Sequence, residues 1–328
     1  MGEEKRLIYP DLCKFLAIII VTTSHCAQSI SGEVWTNFLG GTQIDIAFNM
    51  PLFMIMSGWF INLKRIRETR IIKYLISKTY RLIVPTITWY FIYCVLTDIK
   101  FCIINALLFY WYLTALFTSL TIITISAKII KNDILCTLAS TMVVLAIPNT
   151  FFANINFMFP FIWSGFYLRK AFETNKVCIT STTMFVTLLI GLLLMINWSP
   201  DKTVYITPFK VLDISSNMIL TYIYRFAIGL SLSVPIIYFV KTIETSNYAY
   251  SFAKFGKYTL IIYTFSFIYN EIISRILMLY NLHTNEFIII DLMALSSCIV
   301  IIAVSKLIYD KTHNKRITSI LLLGEYKK

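Results

Sequence analysis

Three ionisable residues near the start of the sequence have the types and the spacing for acid–base chemistry. Asp11, Lys14 and His25 all fall within one long apolar stretch. In a helix that turns about 100° per residue, Lys14 and His25 lie about 20° apart around the axis, and Asp11 lies one turn before Lys14. Histidine takes up and returns a proton near neutral pH more readily than other side chains. The pattern predicts one helix that carries a candidate general base, His25, about 16 Å farther outward than Lys14.

His25 also has a simpler interpretation. It is the one histidine within a predicted span, because His283 falls in a predicted external loop and His313 in the C-terminal tail. A histidine near the outer end of a span can be an interfacial residue that is hydrated among lipid headgroups. Periodicity alone leaves both interpretations open.

Further polar side chains interrupt other apolar stretches, and they gather at the same outer depth when the helices alternate in direction. Ionisable groups inside a membrane are costly and usually face a cavity, so we predict a hydrated cavity that opens outward. The predicted substrate-binding residues are Asp45, Asn49, Trp111, Arg225, Glu271 and Arg275. Two alternatives stay open: Glu271 and Arg275 are four apart and can neutralise each other, and Trp111 can belong to an interfacial aromatic belt.

Two basic residues stand one turn apart at the inner end of the third apolar stretch. Lys78 and Arg81 come just before Pro85. Such a pair can bind the phosphate groups of a cytoplasmic ligand, and it can equally be ordinary charge at a membrane edge.

These residues must be positioned by a membrane protein. Hydrophobic residues make up 58% of the 328 residues and charged residues only 14%, which is incompatible with a soluble enzyme or a nucleic-acid-binding protein of this size. The apolar segments are long continuous runs, which excludes an outer-membrane barrel. The fold class is therefore predicted to be all-α, a polytopic helix bundle in a single domain that spans residues 1–328.

Ten apolar stretches are long enough to be considered as membrane spans. They are residues 8–29, 42–62, 82–97, 106–127, 133–150, 151–168, 177–198, 217–240, 258–280 and 286–308. Lysine and arginine collect in cytoplasmic loops. With the N-terminus inside, 23 of them lie in inner segments and 3 in outer loops, which predicts ten spans with both termini cytoplasmic.

The longest inner segment, residues 64–81, is both basic and amphipathic. Its isoleucine and leucine spacing is helical, so we predict that it lies along the inner membrane surface. The alternative is a plain topological anchor.

The sequence contains no nucleotide-binding, dinucleotide-binding, zinc-protease or serine-hydrolase motif. Its seven cysteines are scattered singly, so neither a metal site nor a disulfide framework is predicted.

Several motifs, in order along nearly the whole chain, resemble the acyltransferase-3 family of integral membrane acyltransferases. The opening YPDLCKFLAIIIVTTSH is similar to the family's first-helix signature, with Asp11, Lys14 and His25 in its three positions. FNMPLFMIMSGWF and KTYRLIVP resemble two further blocks, the second of which holds Lys78 and Arg81. Weaker similarities surround Trp111, Gly165 and Gly256. Asn49 and Ser266 stand where many members of the family have histidine.

The resemblance implies an O-acetyltransferase of the bacterial inner membrane, with His25 as the base and Asp11 and Lys14 supporting it. The donor would be cytoplasmic acetyl-CoA, bound as a substrate by Lys78 and Arg81, with its pantetheine arm reaching between helices toward His25. The acceptor would be a hydroxyl of an envelope or exported glycan, or of a lipid-linked sugar. No permanently bound cofactor, metal or nucleic acid is expected, and membrane lipid is the other partner. The alternative function is a transporter of a lipid-linked sugar or polysaccharide intermediate.

Overall fold

A computed structural model describes residues 8–32, 44–146, 155–174, 180–196, 216–284 and 286–325 of the chain. Within these ranges the chain forms helices and no strand, which confirms the all-α class. The helices are α1 (Tyr9–Ser31), α2 (Ile44–Trp59), α3 (Leu63–Glu68), α4 (Ile71–Lys78), α5 (Val84–Thr97), α6 (Ile103–Phe109), α7 (Trp111–Ile129), α8 (Asp133–Ala146), α9 (Ile155–Thr174), α10 (Ser181–Met195), α11 (Ser216–Thr242), α12 (Asn247–Ala253), α13 (Thr259–Leu279), α14 (Phe287–Thr312) and α15 (Arg316–Leu323).

Each of the ten predicted stretches overlaps at least one helix of the described residues, but the helices differ in length. Six helical segments in the described ranges are long and apolar enough to cross a membrane. They are Tyr9–Ser31, Ile71–Thr97, Trp111–Ile129, Ile219–Thr242, Asn247–Leu279 and Phe287–Thr312. The apolar helices α8 and α10 are shorter. The chain is thus a multi-pass membrane protein by the length and composition of its helices, and the count of ten and the orientation of the termini stay predictions.

In the structure, the inner segment 64–81 is divided between two helices, whereas one amphipathic segment was predicted. α3 ends at Glu68, and α4 then continues into α5 through a π-helical turn at Thr79–Ile83. Pro85 lacks an N–H, and in a regular helix its ring would meet the carbonyl of Arg81. The wider π turn lies where this conflict arises. Residues 71–81 are therefore continuous with the third span.

The predicted fourth span is also interrupted. Tyr110 leaves the helical conformation with ψ 50° and separates α6 from α7. Its side chain is fully buried, so packing favours this break.

The described residues form two compact units, each built from three separate parts of the chain. In the first, which comprises Met1–Met56, Asn175–Trp198 and Ala227–Lys306, α1 packs along α13. Small polar side chains are buried on both helices: Thr22, Thr23 and Ser24 on α1, and Thr264 and Ser266 on α13. Small side chains let two membrane helices approach closely, as α1 and α13 do.

In the second unit, which comprises Ser57–Thr174, Ser199–Phe226 and Leu307–Lys328, α7 packs against α3, α4, α8 and α9. The Arg67 guanidinium donates to the carbonyls of Ala127 and Ile130 at 3.2 and 3.3 Å, where α7 ends. It also forms an ion pair with Asp133 at 2.9 Å, and Lys170 reaches the same carboxylate at 2.7 Å. Arg67 therefore caps α7 and ties it to the start of α8.

Candidate active site

α1 carries its ionisable residues on one partly exposed stripe. Asp11, Lys14 and His25 are each partly exposed, whereas most other residues of the helix are buried. The helix begins with Pro10 in its first turn, where the missing N–H is not needed, and ends before Gly32. The helix and the shared stripe agree with the predicted spacing.

The His25 ring is oriented by a residue one turn farther along α1. Its Nδ1 atom lies 3.2 Å from Oε1 of Gln28, which is also partly exposed. An amide oxygen accepts a hydrogen bond, so the ring donates to Gln28 in the tautomer that carries its hydrogen on Nδ1. The Nε2 lone pair is then available to take a proton, which is the arrangement that a general base needs.

α13 contacts the same part of α1. The Phe267 ring lies 5.3 Å from the His25 ring, and Tyr263 packs edge-on against Phe267 at 5.4 Å. At the next residue of α1, Cys26 Sγ donates to Oδ1 of Asn270 at 3.2 Å. These contacts fix the position of His25 relative to α13.

The inner end of the stripe also packs closely on its neighbours. A Cβ atom at Gly256 would lie 2.6 Å from the carbonyl oxygen of Asp11, so the turn before α13 is in backbone contact with α1. Phe15 stacks on Phe255 at 5.2 Å beside this contact. Asp11 and Lys14 thus lie on a firmly packed part of the helix, and their supporting roles stay predictions.

Two residues, Asn49 and Ser266, stand where the resemblance led us to expect histidine. Asn49 is buried on α2, and its Oδ1 accepts from the backbone N–H of Met50 at 2.5 Å. Ser266 is buried on α13 and donates to the carbonyl of Tyr263 at 2.8 Å. Both side chains are engaged by the backbone of their own helices. Asp45 lies on α2, but its side chain is outside the described part of the structure.

Glu271 and Arg275 form the ion pair that their spacing allows. The carboxylate and the guanidinium are 2.7 Å apart, and the two side chains are 31% and 54% exposed. This is the neutralising arrangement that the sequence left open. It lies on the accessible side of α13.

The second unit holds a group of three cations that we call the basic cluster: Arg65, Lys78 and Arg81. The positive charges of Arg81 and Arg65 both act on Lys78, whose ammonium group lies 5.1 Å from the ring centre of Tyr74. Arg65 and Arg81 are exposed and Lys78 is partly buried. Among the described residues, none of the three forms an ion pair. Like charges held together repel, so this cluster favours the binding of an anion.

The remaining predicted residues of this unit are Trp111 and Arg225. Trp111 is partly exposed at the first residue of α7, and the neighbouring Tyr112 hydroxyl lies 3.3 Å from Oγ of Ser57. Arg225 is only 1% exposed, and one turn earlier Tyr222 donates to the carbonyl of Asn156 at 2.8 Å. A buried guanidinium within a span is costly, which marks this part of α11 as a polar site.

Sequence reasoning missed Gln28 and Arg65. Gln28 follows His25 by three positions, which is a spacing for side-chain contact on a helix and could have indicated the pair. Arg65 was counted only as cytoplasmic charge, because its approach to Lys78 depends on how α3 and α4 pack on α7.

The described residues contain no group of three or more histidine, cysteine or acidic side chains that could hold a metal ion.

In comparisons with known proteins, the family model of the acyltransferase-3 domain, described as an acyltransferase domain, matches residues 7–309. No curated protein and no solved structure matches the chain.

Proposed function

Because this chain belongs to the acyltransferase-3 family, we propose that it transfers an acetyl group from cytoplasmic acetyl-CoA to a glycan hydroxyl. Family membership and the apolar helices support a membrane acyltransferase. The proposal adds the donor, the acceptor class, the base and a location in the bacterial inner membrane. The acceptor is a cell-envelope or exported glycan, or a lipid-linked sugar.

The basic cluster supports the choice of donor. Coenzyme A carries a pyrophosphate and a 3′-phosphate. Arginine and lysine bind both groups strongly through charge-assisted hydrogen bonds. Lys78 and Arg81 bind these phosphates, and Arg65 contributes a third positive charge. Binding the donor also relieves the repulsion among the three cations.

His25 acts as the general base on the acceptor. Nε2 takes the proton of the sugar hydroxyl while the hydroxyl oxygen attacks the thioester carbonyl carbon. The carbon–sulfur bond then breaks, and His25 returns the proton to the departing CoA thiolate. Atoms and charges balance without another reactant. Asp11 and Lys14 support the helix that carries this base.

The acceptor contacts remain those proposed from the sequence. Trp111, partly exposed at the end of its helix, can stack on a sugar ring, and Asp45, Asn49 and Arg225 can bind hydroxyl groups. Glu271 and Arg275 were proposed for the same role, and their mutual ion pair makes them the weakest members of the set.

The observation that carries this proposal is the contact between His25 and Gln28. In a member of an acyltransferase family, a partly exposed histidine with its Nδ1 engaged and its Nε2 available is suited to remove the proton of an acceptor hydroxyl.

Membranes from cells that express the chain should incorporate label from radiolabelled acetyl-CoA into a glycan fraction, and mild base should release that label as acetate. His25→Ala should lower this transfer by at least about 100-fold. His283→Gln, which keeps a donor for the Ile30 carbonyl that His283 contacts at 2.9 Å, should retain it. Incorporation without His25 would refute the role of the base, and no incorporation by the unaltered chain would favour the transporter alternative.

A further inference from the structure

The C-terminal helix α15 packs against the helix that carries part of the basic cluster. Residues 310–328 lie beyond the region matched by the family model, yet α15 contacts both α5 and the π turn at Thr79–Ile83. The indole N–H of Trp89 on α5 donates to the carbonyl of Leu322 at 3.0 Å. The end of α15 is therefore fastened to the third span.

Gly324 brings the chain into contact with the backbone of Arg81. Its φ of +64° is in the left-handed region, and its N–H bonds to the carbonyl of Ile320 at 3.2 Å, which ends α15. A Cβ atom at Gly324 would lie 2.5 Å from the carbonyl oxygen of Arg81 and 2.9 Å from its Cα. Conformation and space therefore both require glycine here.

The residue after Gly324 holds the tail in this position. The Glu325 carboxylate accepts from the hydroxyl groups of Tyr309 and Ser319, each at 3.1 Å. Its backbone N–H donates to the carbonyl of Ser319 at 3.1 Å. Tyr309 belongs to α14, so the end of α15 is tied on two sides.

The segment against which Gly324 packs is locally weak. A π turn has poorer helical hydrogen bonding than an α-helix, and Pro85 supplies no N–H to the carbonyl of Arg81. Support must come from tertiary packing. Gly324 supplies this packing at Arg81, whose exposed side chain belongs to the basic cluster.

We propose that α15, through Gly324, braces the π turn and so positions Arg81 to bind the phosphates of the acyl-CoA donor. Gly324 is a positioning residue, and it acts through Arg81. The inference rests on the proposed donor role of the basic cluster, and it adds a part of the chain beyond the matched region to the donor site.

A double-mutant cycle on the purified full-length protein tests this role, with calorimetric binding of coenzyme A as the measurement. Gly324→Ala should weaken coenzyme A binding about tenfold, and Arg81→Ala by a similar factor. In the Arg81→Ala background, Gly324→Ala should change the affinity by no more than about twofold, because the group that it positions is gone. Independent, multiplicative effects would overturn the proposal.

Gly32→Ala is the matched control. Gly32 also ends a helix with a positive φ of +75°, so alanine introduces similar backbone strain far along the sequence from Arg81. This variant should bind coenzyme A within about twofold of the unaltered protein. An equal loss in Gly32→Ala and Gly324→Ala would mean general destabilisation and would overturn the proposal.

Trp89→Phe keeps the inference testable if Gly324→Ala does not fold. It keeps an aromatic ring in the core but removes the donor to Leu322, together with part of the buried indole ring. This variant should lower the affinity for coenzyme A about threefold. In the Arg81→Ala background, the same substitution should leave the affinity unchanged. If the unaltered protein binds no coenzyme A, the proposed donor site itself fails. If it binds and the α15 variants bind equally well, only the role of α15 fails.

Discussion

The Nδ1 atom of His25 lies 3.2 Å from Oε1 of Gln28, one turn farther along α1. Because both residues belong to one helix, their relative position is set by helical geometry and needs no tertiary contact. Phe267 then packs against the same ring from α13. The ring of the proposed base is thus held by Gln28 from within its own helix and by Phe267 from α13.

Gln28→Met should lower the turnover number for acetyl transfer by about tenfold or more, with the Michaelis constant for acetyl-CoA unchanged. Methionine has a similar length but offers no strong acceptor to Nδ1, so the ring loses its fixed tautomer. Nitrogen-15 NMR of histidine-labelled protein reports the tautomer directly, and the His25 signals are those absent from the His25→Ala spectrum.

Gln28→Glu is the control for this prediction, because it keeps an oxygen acceptor at the same distance along the side chain. It should keep the hydrogen on Nδ1 and retain more activity than Gln28→Met. A normal turnover number in Gln28→Met would show that Gln28 does not orient the base, while leaving the role of His25 untouched.

The Lys78→Ala, Arg81→Ala double variant should raise the Michaelis constant for acetyl-CoA by about tenfold or more, with a smaller change in turnover number. Arg65→Ala alone should raise it about threefold, because that guanidinium contributes charge to the cluster from α3. Steady-state kinetics at low and high salt measures both effects, and salt should weaken donor binding less in the variants.

Lys170→Ala tests whether any lost cation has the same effect. Lys170 already has a carboxylate partner in Asp133, which it shares with Arg67. The Michaelis constant should then stay within about twofold. A rise equal to that of the double variant would contradict a specific donor role for the basic cluster.

The fold class and the position of the proposed base, His25, on α1 could be predicted because both depend on local spacing. Hydrophobic runs identified the helices, and the positions of Asp11, Lys14 and His25 placed them on one stripe of α1. The Glu271–Arg275 ion pair also follows from a separation of four residues. In each case helical periodicity alone determines which side chains can meet.

The rest depends on contacts between distant parts of the sequence. Trp89 and Leu322 are 233 positions apart, and no local pattern indicates that α15 packs on α5. The break at Tyr110 lies inside a continuous apolar run, so periodicity cannot show it. Pro85 also gave no indication of the π turn, because a proline is compatible with a helix start as well as with a π turn.

Gly58→Ala should destabilise the protein severely, because a Cβ atom there would lie 1.9 Å from the carbonyl oxygen of Ile162. α2 and α9 must then separate, or the backbone must shift, at a cost of about 2 kcal/mol or more. Thermal unfolding in detergent, followed by fluorescence-detected size exclusion, measures this loss.

Ser57→Ala is the neighbouring control. It removes a hydroxyl that lies 3.3 Å from that of Tyr112 and adds no atom to the helix contact. Its cost should be about 1 kcal/mol or less. Equal stability of Gly58→Ala and Ser57→Ala would contradict the close contact between α2 and α9.

Cys102 tests the predicted orientation in the membrane. Among the described cysteines it is the one that is not buried, and it lies between α5 and α6 in a loop predicted to be external. In a Cys178→Ser background, a membrane-impermeant maleimide should label intact cells at Cys102 once the outer envelope admits the reagent. Labelling only after the inner membrane is opened would contradict cytoplasmic termini with ten spans.

The pH dependence of this labelling distinguishes the folded loop from an unfolded one. The backbone N–H groups of Asn105 and Ile104, at the start of α6, favour the thiolate and hold the pKa of the Cys102 thiol below its usual value. The thiolate is the reactive form, so a lowered pKa gives more of it at a given pH. Folded protein should therefore react faster near neutral pH than protein unfolded in detergent, and its rate should level off at a lower pH. Identical pH profiles in the two states would mean that the N–H groups at the start of α6 do not stabilise the thiolate.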